Sequence, residues 1–329
     1  MSPAPALTVE DLTVEIDGAS VVDGVSFAVG AGEVVALVGE SGCGKSMTAL
    51  ALLGLLPDAA QIVRGRIVLD GVDLVALPER AMQRVRGSQL SIIFQEATAS
   101  LDPLTTVGSQ VSEAYALHHS VSRSTAWGKA KEMLTAVGIP DPELRLNQYP
   151  FELSGGMCQR VMIAMALICG PRVLVADEPT TALDVTIQAQ ILELMKRLVA
   201  DRGTGIVLIT HDMGVVADAA DRVAVMYAGR IAEIAPVDEL FARPRHAYTA
   251  LLLAAMPSLD HEPKQALAMI EGKVPAAVDF GEGCRFAARC PIASDRCRNQ
   301  QPPLLESGPG HRAACWHADR VAGLIGSIA

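Results

Sequence analysis

The sequence of 329 residues lacks several things, and each absence excludes a class of protein. No apolar run approaches the roughly 20 residues that a membrane-spanning helix needs; the longest, Val161–Cys169, is about half that length. A basic surplus is missing, because 27 Lys and Arg stand against 37 Asp and Glu, for a formal net charge of −10. That balance argues against a nucleic-acid scaffold, which normally needs a basic face. Met1 to Glu10 hold no basic segment followed by an apolar core of the signal-peptide kind, so the chain is expected to stay in the cytoplasm, where it could dock on a membrane partner. Fixed-period repeats and low-complexity tracts are also absent. The seven cysteines are an odd number and do not suggest a disulfide framework. What remains, at 50% apolar and 19% charged residues, is a globular composition with the length of one main domain plus an appendage.

Short apolar runs at 34–38, 90–94, 173–176, 206–210 and 223–227 read as buried parallel strands. Helical patterns lie between them, at 46–55 and at 185–200, where Ile187, Ile191, Leu194, Met195 and Leu198 share one face. Strands alternating with helices predict an α/β sheet. From about residue 104 the alternation stops, and 107–118, 124–137 and 155–168 all read as helix, so residues 96–169 are expected to form an inserted helical subdomain. Beyond residue 258 prolines and glycines multiply. The expected organisation is therefore a main domain over 1–258 and a loop-rich extension over 259–329.

Gly39-Glu40-Ser41-Gly42-Cys43-Gly44-Lys45-Ser46 fits GxxxxGK[ST], after an apolar strand and before a helix. Glycines let successive N–H groups face one concave nest, and the helix N-terminus adds partial positive charge. Lys45 can then reach the β- and γ-phosphates of a nucleotide, and the Ser46 hydroxyl can bind Mg²⁺. Gly39, Ser41 to Ser46 and Met47 are the expected nucleotide contacts. Cys43 fills a free position and reads as a tolerated small residue more readily than as a redox switch.

The strand 173–176 ends in Asp177 and Glu178. The first carboxylate can hold Mg²⁺ or its water, and the second can orient or deprotonate an attacking water. Gln95 and His211 each follow a predicted strand, at the strand ends where open α/β sheets bind ligands. His211 there reads either as a solvated surface group or as a γ-phosphate contact. Leu153-Ser154-Gly155-Gly156-Met157-Cys158-Gln159-Arg160 is a second glycine-rich helix start in a chain with one phosphate loop, which a dimer would explain.

Taken in order, the phosphate loop, Gln95, the stretch 153–160, Asp177-Glu178, Ala182-Leu183-Asp184 and His211 closely resemble the motifs of the ATP-binding subunits of ABC transporters, over about residues 8–258. Phe94–Pro103, Tyr149–Met157 and His246-Ala247-Tyr248-Thr249 narrow the resemblance to the oligopeptide/dipeptide (peptide/nickel) importer group. The resemblance implies a P-loop NTPase core and ATP hydrolysis that energises import of di- or oligopeptides. Nickel, glutathione or another small solute is the alternative cargo. It implies Glu178, His211 and Gln95 as catalytic groups, and Ser46, Gln95 and Asp177 around Mg²⁺. Ser154, Gly155, Gly156 and Asp184 would serve nucleotide across a dimer. The implied partners are a second ABC ATPase subunit, two membrane permeases whose short helices sit near Gln95 and residues 96–118, and an extracytoplasmic solute-binding protein, with no nucleic acid. The implied location is peripheral, on the cytoplasmic face of the inner membrane. A soluble ABC ATPase acting as a nucleic-acid-dependent clamp is the alternative of another class. Such proteins usually carry coiled-coil inserts or two ATPase units, and this chain has one unit.

Two departures from the family pattern stand out. Cys158 replaces a long polar residue of the signature, which is expected to weaken the composite site that uses it. Only Ile16 is available near Val14-Glu15-Ile16, where an adenine-stacking aromatic is usual, at an expected loss of about 1 kcal/mol.

Cys284, Cys290, Cys297 and Cys315 crowd into the extension. Thiolates on a loop-rich segment suggest a metal or a cluster. Zinc sites usually show close C-x₂₋₄-C pairs, which are missing here, so the wide spacing favours a [4Fe–4S] cluster, with zinc or simple packing as rivals. Arg285, Arg289, Arg296 and Arg298 are expected to offset the cluster's charge, and His311 and His317 to be surface or outer-shell groups.

Overall fold

The computed structural model describes residues 4–180, 185–200, 203–256 and 269–328. Among them the strands are β1 (Leu7–Ile16), β2 (Ala19–Val29), β3 (Val34–Val38), β4 (Ala60–Leu69), β5 (Val72–Asp73), β6 (Leu90–Ile93), β7 (Val173–Asp177), β8 (Gly205–Thr210), β9 (Arg222–Tyr227), β10 (Arg230–Pro236), β11 (Leu305–Gly308) and β12 (His311–Ala313). The chain divides into two compact units. The first draws on Met1–Leu7, Ala28–Val34 and Val68–Ile209, and the second on Thr8–Phe27, Val35–Ile67 and Thr210–Ala329.

In the first unit β6, β7 and β8 run parallel, with Ile93 opposite Ala176 and Asp177 opposite Ile209. Every residue of β7 and β8 is buried, as expected of an apolar run covered on both faces. The helices Val107–Ala116, Arg123–Ala136 and Gly155–Leu167 fill the helical stretch, within two residues of the bounds expected from the sequence. Thr106 and Ser122 cap the first two by accepting N–H hydrogen bonds from Ser109 and Thr125.

In the second unit β3 pairs in parallel with β9, and β9 turns back into the antiparallel β10. The hairpin β11–β12 then adds to β10, with Glu233 opposite Ala313 and Ile234 opposite Arg312. The C-terminal extension therefore contributes sheet, where the sequence suggested only loop. A buried carboxylate locks it there: Glu233 accepts from Arg245 N–H at 2.6 Å and His246 N–H at 2.9 Å, and pairs with His311 Nε2 at 2.6 Å. His311 is 3% exposed, so it is an interior partner and not a surface group. Phe286, also fully buried, completes an aromatic group with Tyr227 and Tyr248, with ring centroids 4.7 to 5.3 Å apart.

Candidate nucleotide site

The phosphate loop belongs to the second unit. It bridges the end of β3 and the helix Lys45–Leu52. Gly39 has φ 149°, and a Cβ there would lie 2.2 Å from the Met226 carbonyl oxygen. Gly44, at φ 101°, would put a Cβ 2.7 Å from the Val21 carbonyl. Both glycines are therefore dictated by how closely the neighbouring backbone approaches. The Lys45 ammonium is buried and donates to the carbonyls of Gly39 at 2.7 Å and Glu40 at 3.1 Å, which fixes it over the loop. Cys43 is buried beside it, and burial raises its thiol pKa despite the adjacent ammonium, which suits an inert residue. Ser41, Gly42 and Ser46 are exposed and Met47 is half-buried. His211 is exposed just beyond β8, before a helix capped by the Asp212 carboxylate. Ile16 is half-buried at the end of β1.

The first unit carries the carboxylates. Asp177 closes β7 and is 9% exposed. Glu178 follows with φ 46°, a left-handed conformation that is unusual for a glutamate, and its N–H donates to Ile209 O at 2.9 Å. Gln95, two residues past β6, donates from Nε2 to Glu178 Oε2 at 3.0 Å. Adjacent parallel strands thus bring these two expected site residues together. Ser154 caps the signature helix, its hydroxyl accepting from Met157 N–H at 3.4 Å. Gly155 is exposed, and a Cβ built on it would meet nothing within 4 Å. Gln159 reaches from that helix to the carbonyl of Pro179 at 2.5 Å, tying the signature to the segment that follows Glu178. Sequence reasoning missed this tie, although a polar residue one position past Cys158 on an apolar helix face was visible. Ala182, Leu183 and Asp184 lie outside the described residues.

Cys158 is 1% exposed on the inner face of its helix, and its thiol donates to the Pro150 carbonyl at 3.4 Å.

The tail cysteines lie in the second unit. Cys284, Cys290 and Cys315 have raised thiol pKa values, the first two pushed up to about 11, chiefly by burial and secondarily by the neighbouring cysteines. Among the described residues no group of three or more His, Cys, Asp or Glu is placed to hold a metal ion, so neither zinc nor a cluster is supported by the geometry. The arginines expected to balance a cluster are engaged elsewhere. Arg285 binds Asp23, Arg289 binds Glu40, Arg298 pairs with Asp295, and Arg296 stacks 3.4 Å over the Trp316 ring. His317 bonds Ser294 Oγ at 2.8 Å.

Comparison with known proteins agrees with the motifs. The ABC transporter family model matches residues 22–181, and the model of the oligopeptide/dipeptide transporter C-terminal region matches 232–297. The chain is 53% identical to the "Probable peptide ABC transporter ATP-binding protein y4tR" of Sinorhizobium fredii, over 92% of this chain and 90% of that one. It is 49% identical to the oligopeptide transport ATP-binding protein AppD of Bacillus subtilis, over 90% of each chain, and 48% identical to that organism's dipeptide transport ATP-binding protein DppD, over 92% and 90%. Among solved structures it resembles a dimeric ATP-binding cassette in a post-hydrolysis state bound to ADP and phosphate (TM-score 0.63, 26% identity, 70% of this chain and 98% of that one). It also resembles cbiO1 from Clostridium perfringens, part of an ABC transporter complex (TM-score 0.64, 28% identity, 73% and 92%). The fold is that of a P-loop ABC ATPase. The chain belongs to the ATP-binding subunits of oligopeptide/dipeptide ABC transporters, which couple ATP hydrolysis to peptide transport.

Proposed function

We propose that Glu178 is the group that orients and deprotonates the hydrolytic water, with Gln95 holding its carboxylate. The observation that carries this reading is the left-handed Glu178 backbone at the end of β7, together with its hydrogen bond from Gln95. A glutamate kept in a costly conformation suits a group whose position matters more than its local stability. Lys45 and the N–H groups of residues 42–47 bind the phosphates, and His211 contacts the γ-phosphate. The donor set Ser46 hydroxyl, Asp177 carboxylate and Gln95 amide oxygen is all hard oxygen, the chemistry Mg²⁺ prefers. When bound, Mg²⁺ would neutralise phosphate charge.

In this reading Ser154, Gly155 and Gly156 serve the ATP of a second ATPase subunit, and Asp184 supports that interface. Two permeases receive the closing motion near residues 96–118, a solute-binding protein delivers cargo, and the chain works on the cytoplasmic face of the inner membrane. The cargo is a di- or oligopeptide. Among the described residues no helix is long and apolar enough to cross a membrane, which fits a peripheral subunit. A [4Fe–4S] cluster on Cys284, Cys290, Cys297 and Cys315 rests on the crowding and wide spacing of these four cysteines in the extension; iron, sulfide and zinc assay of anaerobically purified protein tests it.

Glu178→Gln is the decisive variant. It should bind ATP with affinity close to the wild type while turnover falls by about 10² or more. Undiminished turnover would overturn the assignment.

A further inference from the structure

The second unit joins its C-terminal extension to the phosphate loop through one side chain. Arg289 has five N–H donors, and the structure gives it five hydrogen bonds. Nη1 donates to Glu40 Oε2 at 2.6 Å and Tyr227 Oη at 3.3 Å. Nη2 donates to Glu40 Oε1 and Ile270 O, both at 3.0 Å, and Nε donates to Glu271 O at 2.8 Å. Its side chain is 5% exposed and that of Glu40 30%. Two parallel bonds to one carboxylate fix direction as well as distance. Glu40 is the second residue of the phosphate loop, and its own N–H donates to Tyr248 Oη at 2.8 Å. Both its backbone and its side chain are therefore held by residues more than 200 positions away.

A second arginine backs the same loop. Arg285 donates to the Ala228 carbonyl and to Asp23. The next residue, Gly229, donates its N–H to the Cys43 carbonyl at 3.0 Å and accepts from Asp23 N–H at 2.8 Å. Buried Phe286 lies between the two arginines in sequence and seats their turn against Tyr227 and Tyr248.

We propose that Arg289 is a positioning residue for ATP binding: through Glu40 it holds the phosphate loop in its nucleotide-ready shape, so that the C-terminal extension sets ATP affinity. The proposal rests on the reading of Gly39–Ser46 as the phosphate site. A loop held in its bound shape loses less freedom when ATP arrives. Glu178 and His211 do not take part, so the effect falls on binding and not on the chemical step.

The sign of one substitution separates this from plain electrostatics. If Arg289 only masked the charge of Glu40, Glu40→Gln would leave ATP binding unchanged or tighten it, because a carboxylate near a triphosphate is repulsive. If Arg289 positions the loop, Glu40→Gln weakens binding. The test is Mg-ATP titration of the full-length chain and steady-state ATPase of the assembled transporter, for Arg289→Ala, Arg289→Lys, Glu40→Gln and the double variant Arg289→Ala/Glu40→Gln. Expected are a Kd and KM for ATP raised about tenfold in Arg289→Ala and in Glu40→Gln, kcat within about twofold of wild type, and partial recovery in Arg289→Lys. The double variant should be no weaker than the worse single, since both remove the same link.

Wild-type or tighter affinity in Glu40→Gln, or restored affinity in the double variant, overturns the proposal. Glu40→Gln leaves Arg289 its bonds to Tyr227, Ile270 and Glu271, so it keeps the test open if Arg289→Ala does not fold. Lys45→Ala separates the two readings. If it still binds ATP, the phosphate site has been misplaced; if it loses ATP while Glu40→Gln keeps it, only the positioning role fails.

Discussion

The chain has two glycine-rich helix starts, and they are held in different ways. In the phosphate loop, Gly39 and Gly44 adopt positive φ and face backbone carbonyls that leave no room for a Cβ. That loop is also gripped from a distance by Arg289 and Tyr248. In the signature, Ser154 makes a local cap three residues long, and Gly155 has open space around it. The chain's own fold thus accounts for the first pair of glycines and does not require Gly155. The contrast fits a phosphate loop that is complete within one subunit and a signature whose demand for glycine comes from another.

Gly39→Ala would break this comparison most severely. A Cβ 2.2 Å from a backbone carbonyl cannot be accommodated by moving a side chain. ATP binding should be lost and the melting temperature should fall, measurable by titration and calorimetry. Next is Cys158→Arg, which puts a charge on the buried side of the signature helix. It should destabilise the protein by on the order of 3 kcal/mol in denaturant unfolding; stability equal to wild type would show that the helix presents this position to solvent. Gly155→Ala sharpens the contrast from the other side. Monomer stability should stay the same or rise slightly, because alanine favours a helical first turn. ATP-dependent turnover of the assembled transporter should nonetheless fall, by about tenfold if an opposing phosphate needs the space. Unchanged turnover would remove the evidence that this surface faces a nucleotide.

Much of the core was legible in the sequence because its strands are buried on both faces. The runs at 34–38 and 173–176 are apolar throughout, and a solid apolar run needs no tertiary knowledge to be read. The motif residues were legible for a related reason, since a phosphate nest requires glycines at fixed spacing. Strand β1 entered only through the resemblance, near residues 14–16, although Leu7–Ile16 alternates polar and apolar residues with one slip at Asp11, a signal that was there to be used; β4, over Ala60–Leu69, has no sustained alternation and was missed. The hairpin β11–β12 offered no such signal. Leu305-Glu-Ser-Gly and His311-Arg-Ala are short and polar; the second becomes a strand by pairing with β10 and the first by pairing with the second. The Arg289–Glu40 pair was equally invisible, because 249 residues separate its members. The arginines drew attention through the cysteines beside them, but their partners are Asp23 and Glu40 of the main domain, Asp295 of the extension and an indole ring.

The seating of β12 on β10 also bears on how the chain could be shortened. A version ending near residue 258 would look, by motif, like a whole ATPase. It would instead lay bare the hydrogen-bonding rim of β10, an open template for unwanted strand addition between molecules. The Glu233 carboxylate, sealed from solvent, would forfeit its imidazole counterpart at the same stroke. Such a fragment should clump rather than idle, so a loss of activity on trimming would say little about regulation.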